Sequence, residues 1–142
     1  MKVRDVMTGG VISICPDEPV AVAARQLTHY NIGILPVCSP GGRLLGLVTD
    51  RDLVTRCLAA ERSLEKTAVG QVMTCRVATA DPDMDVAAAS ALMGKQQVRR
   101  LPVVEQGRLC GMISLGDIAA CREQKDRAAE ALVEITRNVS VG

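Results

Sequence analysis

The sequence carries one pattern twice. The segment V-M-T at residues 6–8 recurs at residues 72–74, and L-P-V at residues 35–37 recurs at residues 101–103. The order of these segments and the spacing between them are the same in both copies. Because chance rarely preserves order and spacing together, the pattern indicates an internal duplication, and the two copies are expected to fold alike.

Each copy has the residue pattern of a β-α-β-β-α unit. An extended stretch precedes Pro16-Asp17 in the first copy and Pro82-Asp83 in the second, and we expect each Pro-Asp pair to open a helix with acidic residues in its first turn. Two strands joined by a glycine-containing turn follow, and a second helix begins near Thr49 or Ser114. The strands are predicted at residues 34–38, 44–48, 100–104 and 109–113. The predicted fold class is α/β, with two such repeats packed about a pseudo-twofold axis.

The duplication also sets the predicted domain boundaries. We expect a first repeat at residues 1–60, a linker at 61–68, a second repeat at 69–124, and a C-terminal helix extension and tail at 125–142. The final helix is predicted to run from about Asp117 toward Asn138. Its apolar face is predicted to pack on a partner subunit, and a solvated tail is the alternative. That face consists of Ala128, Ala131, Leu132 and Ile135.

Composition excludes several classes of function. The 142 residues carry a net charge of +1 and include no Trp or Phe and one Tyr, Tyr30, so neither nucleic-acid binding nor base stacking on aromatic rings is predicted. The core must therefore be aliphatic. The start of the chain lacks the apolar segment of a secretory signal, and no apolar run approaches the roughly 20 residues that cross a bilayer. We expect a cytoplasmic protein without membrane insertion.

The reactive side chains do not form a recognisable catalytic or metal site. The six cysteines contain no C-x-x-C pair, and His29, the single histidine, is not at ligand spacing from any of them, so no metal is predicted. A cysteine hydrolase is one hypothesis for such a chain. It needs a Cys-His-acid constellation that the sequence does not show, so no catalytic residue is predicted.

A hydroxyl residue followed three positions later by Asp stands at the end of the last strand of each copy. The pairs are Thr49 with Asp52, and Ser114 with Asp117. The free N–H groups of a helix N-terminus favour an anion such as phosphate, the hydroxyl can donate to it, and the carboxylate can accept from two ribose hydroxyls. The same spacing approximates a helix capping box, so a purely structural role stays open.

A glycine lies in the strand that leads into each motif. Gly46 and Gly111 each stand two positions before the last apolar residue of their strand. A residue without a Cβ permits close backbone approach at this position.

The repeated V-M-T opening, the R-R-L-P-V-V strand and the ending G-h-[TS]-x-x-D together resemble a tandem pair of CBS domains, often called a Bateman module, over about residues 3–122. The resemblance implies a stand-alone CBS-domain protein that binds adenosine-containing ligands such as AMP, ADP, ATP or S-adenosylmethionine in clefts between the copies. It further implies a role in energy sensing, regulation of a partner protein that the sequence does not identify, and a homodimer in which four CBS units form a disc.

The resemblance also assigns individual residues. It implies that Thr49 and Ser114 bind the phosphate and that Asp52 and Asp117 bind the ribose. The cations expected near the phosphate are Arg99 and Arg100, which match the pair before L-P-V-V, and Arg51 in the first helical turn. The adenine is expected between aliphatic walls, with Ile12 and Val77 reaching across to the other copy. The walls are Ile12, Ile32, Ile34 and Val48 in one cleft and Val77, Val98, Met112 and Ile113 in the other.

The two implied sites differ in charge, because the first copy has Gly33-Ile34 where the second has Arg99-Arg100. For a charged phosphate tail we favour the site of Thr49, Asp52 and Arg51, with an arginine from the second copy. The Ser114 site is expected to be weaker, empty or tuned to a different nucleoside.

The leading hypothesis is a regulatory adenine-nucleotide sensor that changes conformation to control a partner. The alternative is a ligand-free oligomerisation scaffold in which both motifs only cap helices.

Overall fold

The chain forms two compact units. The computed structural model describes residues 1–121 and 125–137. Residues 12–77 form one unit, called here the central unit, and residues 1–11 join the described residues from 78 onward in the other, called the terminal unit. Within the described residues, no helix is long and apolar enough to cross a membrane.

The central unit is built on one antiparallel hairpin. Its elements are α1 (Val20–His29), β1 (Ile34–Cys38), β2 (Leu44–Thr49), the short α2 (Asp50–Asp52) that continues into a π-helical segment (Leu53–Leu58), and a 3-10 turn (Val69–Gln71). β1 pairs with β2, and Ile14 extends the sheet by a parallel bridge to Val37 in β1. The strands therefore lie where the sequence predicts them, whereas the extended stretch before α1 makes only this single bridge.

The terminal unit repeats the arrangement and adds a helix. Its elements are a 3-10 turn (Val3–Asp5), α3 (Val86–Gln96), β3 (Arg100–Glu105), β4 (Arg108–Ser114), α4 (Leu115–Ala119) and α5 (Lys125–Arg137). β3 pairs with β4, and Ala80 bridges Val103 in parallel, as Ile14 bridges Val37 in the central unit. Both cores are aliphatic, as the composition requires. The apolar face of α1 is buried at Val20, Ala23 and Leu27, and that of α3 at Val86, Ala89 and Met93.

The V-M-T segments are exchanged between the repeats. Thr8 pairs with Met112 in β4, with N···O distances of 2.8 and 3.0 Å, although Thr8 belongs to the first repeat. Thr74, of the second repeat, pairs with Leu47 in β2 at 2.9 and 2.7 Å. Each unit thus completes its sheet with the V-M-T segment of the other repeat. The two compact units therefore have other boundaries than the predicted repeats at residues 1–60 and 69–124. The boundaries of the repeats stay a prediction.

The two strand glycines stand where another backbone segment approaches closely. A Cβ at Gly46 would lie 2.6 Å from the carbonyl oxygen of Thr74, and a Cβ at Gly111 would lie 2.8 Å from that of Thr8. These contacts are shorter than a carbon atom allows, so only glycine lets the V-M-T segments reach β2 and β4.

The helices after the Pro-Asp pairs begin later than predicted. α1 begins at Val20 and α3 at Val86, because Pro16-Asp17 and Pro82-Asp83 form turns in which Glu18 N donates to Cys15 O and Met84 N donates to Asp81 O. The first turn of each helix therefore carries no acidic residue, contrary to expectation. The N-cap of α3 is instead Asp85, whose side chain accepts from Ala87 N at 2.8 Å.

The C-terminal prediction is wrong in two respects. The expected helix from Asp117 to Asn138 is interrupted, because α4 ends at Ala119 and α5 begins at Lys125; Asn138 lies outside the described residues. The apolar face of α5 also packs on its own unit rather than on a partner subunit. Three of its four predicted residues lie in the core of the terminal unit, and the fourth remains exposed. The three are Ala128, Ala131 and Ile135, and the fourth is Leu132.

Two contacts fix α5 against α3. Ser90 is 1% exposed, and its hydroxyl donates to the carbonyl oxygen of Arg127 at 2.7 Å. Gly94 faces Ala131 so closely that an added Cβ would lie 3.2 Å from the Ala131 Cα. The position of α5 is therefore set by a buried hydrogen bond and by backbone-to-backbone packing.

Candidate functional site

Both T/S-x-x-D motifs form capping boxes. In the central unit, Thr49 Oγ1 accepts from Asp52 N at 3.0 Å and Asp52 Oδ2 accepts from Thr49 N at 3.0 Å. In the terminal unit, Ser114 Oγ and Asp117 Oδ2 make the same two bonds, each at 3.0 Å. The capping role that the spacing left open is therefore present in both units. Each box uses only Oδ2 of its carboxylate, so Oδ1 takes no part in the cap.

The two carboxylates differ in their surroundings. Asp52 is 7% exposed, Thr74 Oγ1 lies 3.4 Å from each of its oxygens, and Arg56 Nε lies 3.6 Å from Oδ1. Arg56 also donates through Nη1 to Met73 O at 3.0 Å. Asp117 makes no ion pair within the described residues. The negative charge of Asp52 is thus partly compensated within the protein, whereas that of Asp117 is not.

Sequence reasoning did not identify Arg56 or Thr74. Arg56 follows Asp52 by four positions, the spacing at which side chains of a helix face each other, so this pair had a signal in the sequence. Thr74 lies far from Asp52 in the sequence. Only the exchange of the V-M-T segment brings its hydroxyl to the carboxylate.

The residue after Thr49 is the acidic Asp50, whereas the residue after Ser114 is the neutral Leu115. Asp50 N donates to Gly33 O at 3.2 Å, and Leu115 N donates to Arg99 O at 2.9 Å, so these backbone positions correspond. A carboxylate therefore stands beside Thr49, where a Cβ at Gly33 would lie 3.5 Å from Asp50 Oδ2. The terminal unit has Leu115 at the position of Asp50 and Arg99 at the position of Gly33. An anion is favoured next to the arginines and opposed next to Asp50.

The side chains of the three predicted phosphate-binding arginines have no partner in the part of the chain that the structure describes. The side chains of Arg51, Arg99 and Arg100 make no hydrogen bond or ion pair among the described residues, and all three residues are exposed. Arg51 belongs to the central unit, whereas the other two belong to the terminal unit. The charges of Arg99 and Arg100 in the terminal unit are therefore open toward a ligand anion.

Arg99, Arg100 and Ser114 line one depression of about 580 Å³ in the terminal unit. The rest of its lining is apolar, and three of those residues come from α5. The apolar lining residues are Leu115, Gly116, Ala119, Ala128, Ala129 and Leu132. Asp117 is not part of this lining.

The predicted adenine walls fall into two groups. Val48 and Ile113 are 0% exposed and lie in the hydrophobic cores, so their side chains support a site only from behind. Five others are only partly buried and Val98 is 37% exposed, which leaves apolar surface for a ligand. The five are Ile12, Ile32, Ile34, Val77 and Met112.

The family model for the CBS domain matches the chain twice, over residues 3–59 and 69–123. The chain belongs to the CBS-domain family. Its fold is a CBS-domain pair of mixed helices and strands, and proteins of this family are generally ligand-binding, regulatory and non-catalytic. α5 lies beyond the residues that the CBS model matches.

Several proteins are similar to this chain. The CBS domain-containing protein YhcV of Bacillus subtilis is 37% identical over 135 residues, which are 95% of each chain. Hypoxic response protein 1 of Mycobacterium tuberculosis is 34% identical over 116 residues, covering 82% of this chain and 81% of that protein.

Two solved structures that are similar to this chain contain small molecules or metal ions. The CBS domain pair of protein MJ0100, in complex with 5′-methylthioadenosine and S-adenosyl-L-methionine, has a TM-score of 0.73 at 28% identity and covers 84% of this chain and 94% of its own. A structure of hypoxic response protein I with two coordinated zinc ions has a TM-score of 0.78 at 32% identity and covers 84% of this chain and 98% of its own. In the described part of this chain, no group of three or more His, Cys, Asp or Glu residues could hold a metal ion. The absence of a metal stays a prediction.

Proposed function

We propose that this CBS-domain pair is a regulatory module that binds an adenosine-containing ligand and changes conformation to control a partner protein. The ligand class comprises AMP, ADP, ATP and S-adenosylmethionine, with the adenine nucleotides as the leading candidates for an energy sensor. The observation that carries the proposal is the hydroxyl and carboxylate pair at the same place in both units. The adenosine ligands of the similar MJ0100 domain pair support the same class.

The capping boxes leave room for a ribose. Each box occupies Oδ2, and a carboxylate oxygen has two lone pairs, so Oδ1 can accept from a ribose hydroxyl while the cap stays intact. At Asp117 this oxygen has no protein partner within the described residues. We propose that Asp52 and Asp117 bind the ribose and that Thr49 and Ser114 bind the phosphate.

The cations proposed for the phosphate are Arg51, Arg99 and Arg100. Their guanidinium groups have no acidic partner in the described part of the chain, so a phosphate would not have to displace one. The proposed apolar contacts to the base are Ile12, Ile34, Val77 and Met112, backed by Val48 and Ile113. For control of a partner, the ligand must bind one conformation more tightly than another, because equal affinity shifts no equilibrium.

The test is thermal unfolding with AMP, ADP, ATP and S-adenosylmethionine. A ligand at about 100 times its dissociation constant adds about 2.7 kcal/mol to the stability of the protein. The shift should be lost in Asp52→Asn or Asp117→Asn, because Asn keeps one oxygen for the cap but loses the charge and the second acceptor. Asp85→Asn is the matched control, since Asp85 caps α3 outside both motifs. An equal loss in this control would contradict the assignment.

The formed capping boxes also favour a second candidate, the ligand-free oligomerisation scaffold. A scaffold would show no thermal shift with any of the four ligands after co-purified nucleotide has been removed.

For either function we propose a homodimer. Its support is the exposed apolar surface of the π-helical segment, where Val54 is 54% and Leu58 is 63% exposed. Sedimentation of the wild type against Leu58→Glu tests this, because a dimer through that surface becomes monomeric. A cytoplasmic location stays a prediction.

A further inference from the structure

Two cysteines are neighbours in the sheet of the central unit. The extended stretch before α1 joins β1 in parallel, where Ile14 N donates to Pro36 O at 3.0 Å and Cys38 N donates to Ile14 O at 2.9 Å. In a parallel pair of strands the next residues along each strand stand side by side, so Cys15 is the neighbour of Cys38. Both are free thiols in this structure.

The backbone geometry at these neighbours suits a disulfide. Adjacent strands lie about 4.8 Å apart, and a disulfide joins residues whose Cα atoms are about 4.4–6.8 Å apart. Pro16 keeps Cys15 extended, because the residue before a proline avoids the helical region. A bond between the two sulfur atoms therefore requires rotation of side chains but little movement of the backbone.

The surroundings of Cys38 place both thiols on one face of this sheet. Residues 13 and 15 of an extended segment point to the same side, and the Ser13 side chain forms a hydrogen bond with the Cys38 thiol. Burial raises the pKa of this thiol, the bond to Ser13 lowers it, and a negative charge on Cys15 raises it. The effect of Cys15 on the pKa of Cys38 agrees with their positions as neighbours.

The two thiols differ in their access to solvent. Cys38 is 4% exposed, whereas Cys15 is only partly buried. An oxidant in solution therefore reaches Cys15 first. Cys38 is shielded from outside reagents and can react with a group that is already attached to its neighbour.

The pair belongs to the central unit alone. Ala80 bridges Val103 in the terminal unit as Ile14 bridges Val37 in the central unit. The next residues along these two segments are Asp81 and Val104, at the positions of Cys15 and Cys38. The fold of the repeat thus requires a cysteine at neither position.

We propose that Cys15 and Cys38 are a site of reversible oxidation, at which a small disulfide such as oxidised glutathione converts the two thiols into an intramolecular disulfide. The Cys15 thiolate attacks one sulfur of oxidised glutathione, whose S–S bond breaks, and the first glutathione leaves with the proton of Cys15. Cys38 then attacks the Cys15 sulfur, and the second glutathione leaves with the proton of Cys38. Two protein thiols are oxidised and one molecule of oxidised glutathione is reduced to two thiols. This site does not depend on the adenosine site proposed above.

The disulfide closes a loop over residues 16–37, which contains α1. A cross-link of this kind restricts the unfolded chain and so stabilises the folded one. For a chain of this size, oxidation should raise the melting temperature by roughly 5–10 °C.

The first experiment maps the bond in the full-length protein. The protein is incubated with oxidised glutathione, its remaining thiols are blocked with N-ethylmaleimide in denaturant, and its tryptic peptides are weighed without reduction. Cleavage after Arg4, Arg25 and Arg43 places the two cysteines in separate peptides, 5–25 and 26–43. We expect these peptides to be joined, lighter by two hydrogen atoms than their sum, and separated by dithiothreitol. Separate peptides, each blocked or with glutathione still on Cys15, would overturn the proposal.

Two variants test the order of the steps. Cys38→Val introduces the residue that the terminal unit has at this position, and it should stop the reaction at a glutathione adduct on Cys15. Cys15→Ser should leave peptide 26–43 without glutathione, because Cys38 is buried. An adduct on Cys38 as abundant as that on Cys15 would contradict the order proposed.

Thermal unfolding of oxidised and reduced protein supplies the matched control. The rise in melting temperature on oxidation should disappear in Cys15→Ser and persist in Cys75→Ser, since Cys75 is an exposed cysteine outside the pair. A rise that persists in Cys15→Ser, or is lost equally in Cys75→Ser, would refute the assignment to Cys15 and Cys38.

Discussion

Gly46→Ala tests how tightly the exchanged V-M-T segment is held. The new Cβ would lie 2.6 Å from Thr74 O and 3.0 Å from Met73 Sδ. Thr74 O is backbone, and it accepts from Leu47 N at 2.9 Å while Thr74 N donates to Leu47 O at 2.7 Å. Because the carbon and the oxygen cannot remain so close, the Thr74 segment must move away and both hydrogen bonds are weakened or lost.

The expected loss of stability follows from these contacts. Each backbone hydrogen bond contributes about 1 kcal/mol net. Overpacking at a buried position costs about 1–3 kcal/mol more. Alanine is better than glycine within a strand by about 0.5–1 kcal/mol, which offsets part of the loss. We therefore expect Gly46→Ala to lower the free energy of unfolding by about 2–4 kcal/mol. For a chain of this size the melting temperature falls by roughly 6–12 °C.

The assay is urea unfolding followed by far-UV circular dichroism. Gly41→Ala is the control, because the nearest atom to its new Cβ is Ser39 Oγ at 3.9 Å and its stability should change by less than about 0.5 kcal/mol. If Gly46→Ala is as stable as Gly41→Ala, the close approach of Thr74 to β2 does not contribute to stability, and the reasoning fails.

Three further predictions concern contacts outside the proposed adenosine sites. Ser90→Ala leaves a carbonyl of α5 without its 2.7 Å hydrogen bond and should cost about 1–3 kcal/mol in chemical denaturation, more than any exposed serine. Arg4 donates to Asp83 at 2.7 Å and lowers the pKa of that carboxyl. A lowered pKa stabilises the fold above the unfolded pKa near 3.9 and loses its effect as the pH falls through the folded value. The stability difference between wild type and Arg4→Gln should therefore shrink between pH 6 and pH 2. Burial raises the pKa of the Cys38 thiol, so a thiol reagent at neutral pH should modify exposed Cys75 first and Cys38 only on unfolding.

Much of the local structure follows from short-range signals in the sequence. The glycine before each motif indicated a close approach, and the T/S-x-x-D spacing indicated a cap, because both depend on a few neighbouring atoms. The predicted start of α1 is wrong because the short-range signal there is ambiguous. Pro16-Asp17 fits either a turn or a helix start, and the turn is followed by a second possible start at Pro19.

The partners of distant segments could not be predicted. Thr8 and Thr74 stand in identical V-M-T segments, so the sequence cannot say which of the two sheets each one completes. The pattern of α5 likewise shows that Ala131 and Ile135 belong to a buried face, but not which surface covers them. These long-range contacts bring Thr74 next to Asp52 and α5 next to Ser114. Both contacts change the surroundings of the predicted sites.

The exchange of residues 6–8 and 72–74 also bears on how such a duplicated chain arises. An ancestor with a single repeat would carry one V-M-T segment and one hairpin, and with this pairing it could close its sheet only by trading segments with a second molecule. Such an ancestor would be an obligate swapped pair whose folding depends on protein concentration. Joining two copies of its gene turns that encounter into a reaction within one chain, at an effective concentration set by the linker. Duplication would then be retained for making assembly independent of expression level, before the two copies diverged in charge.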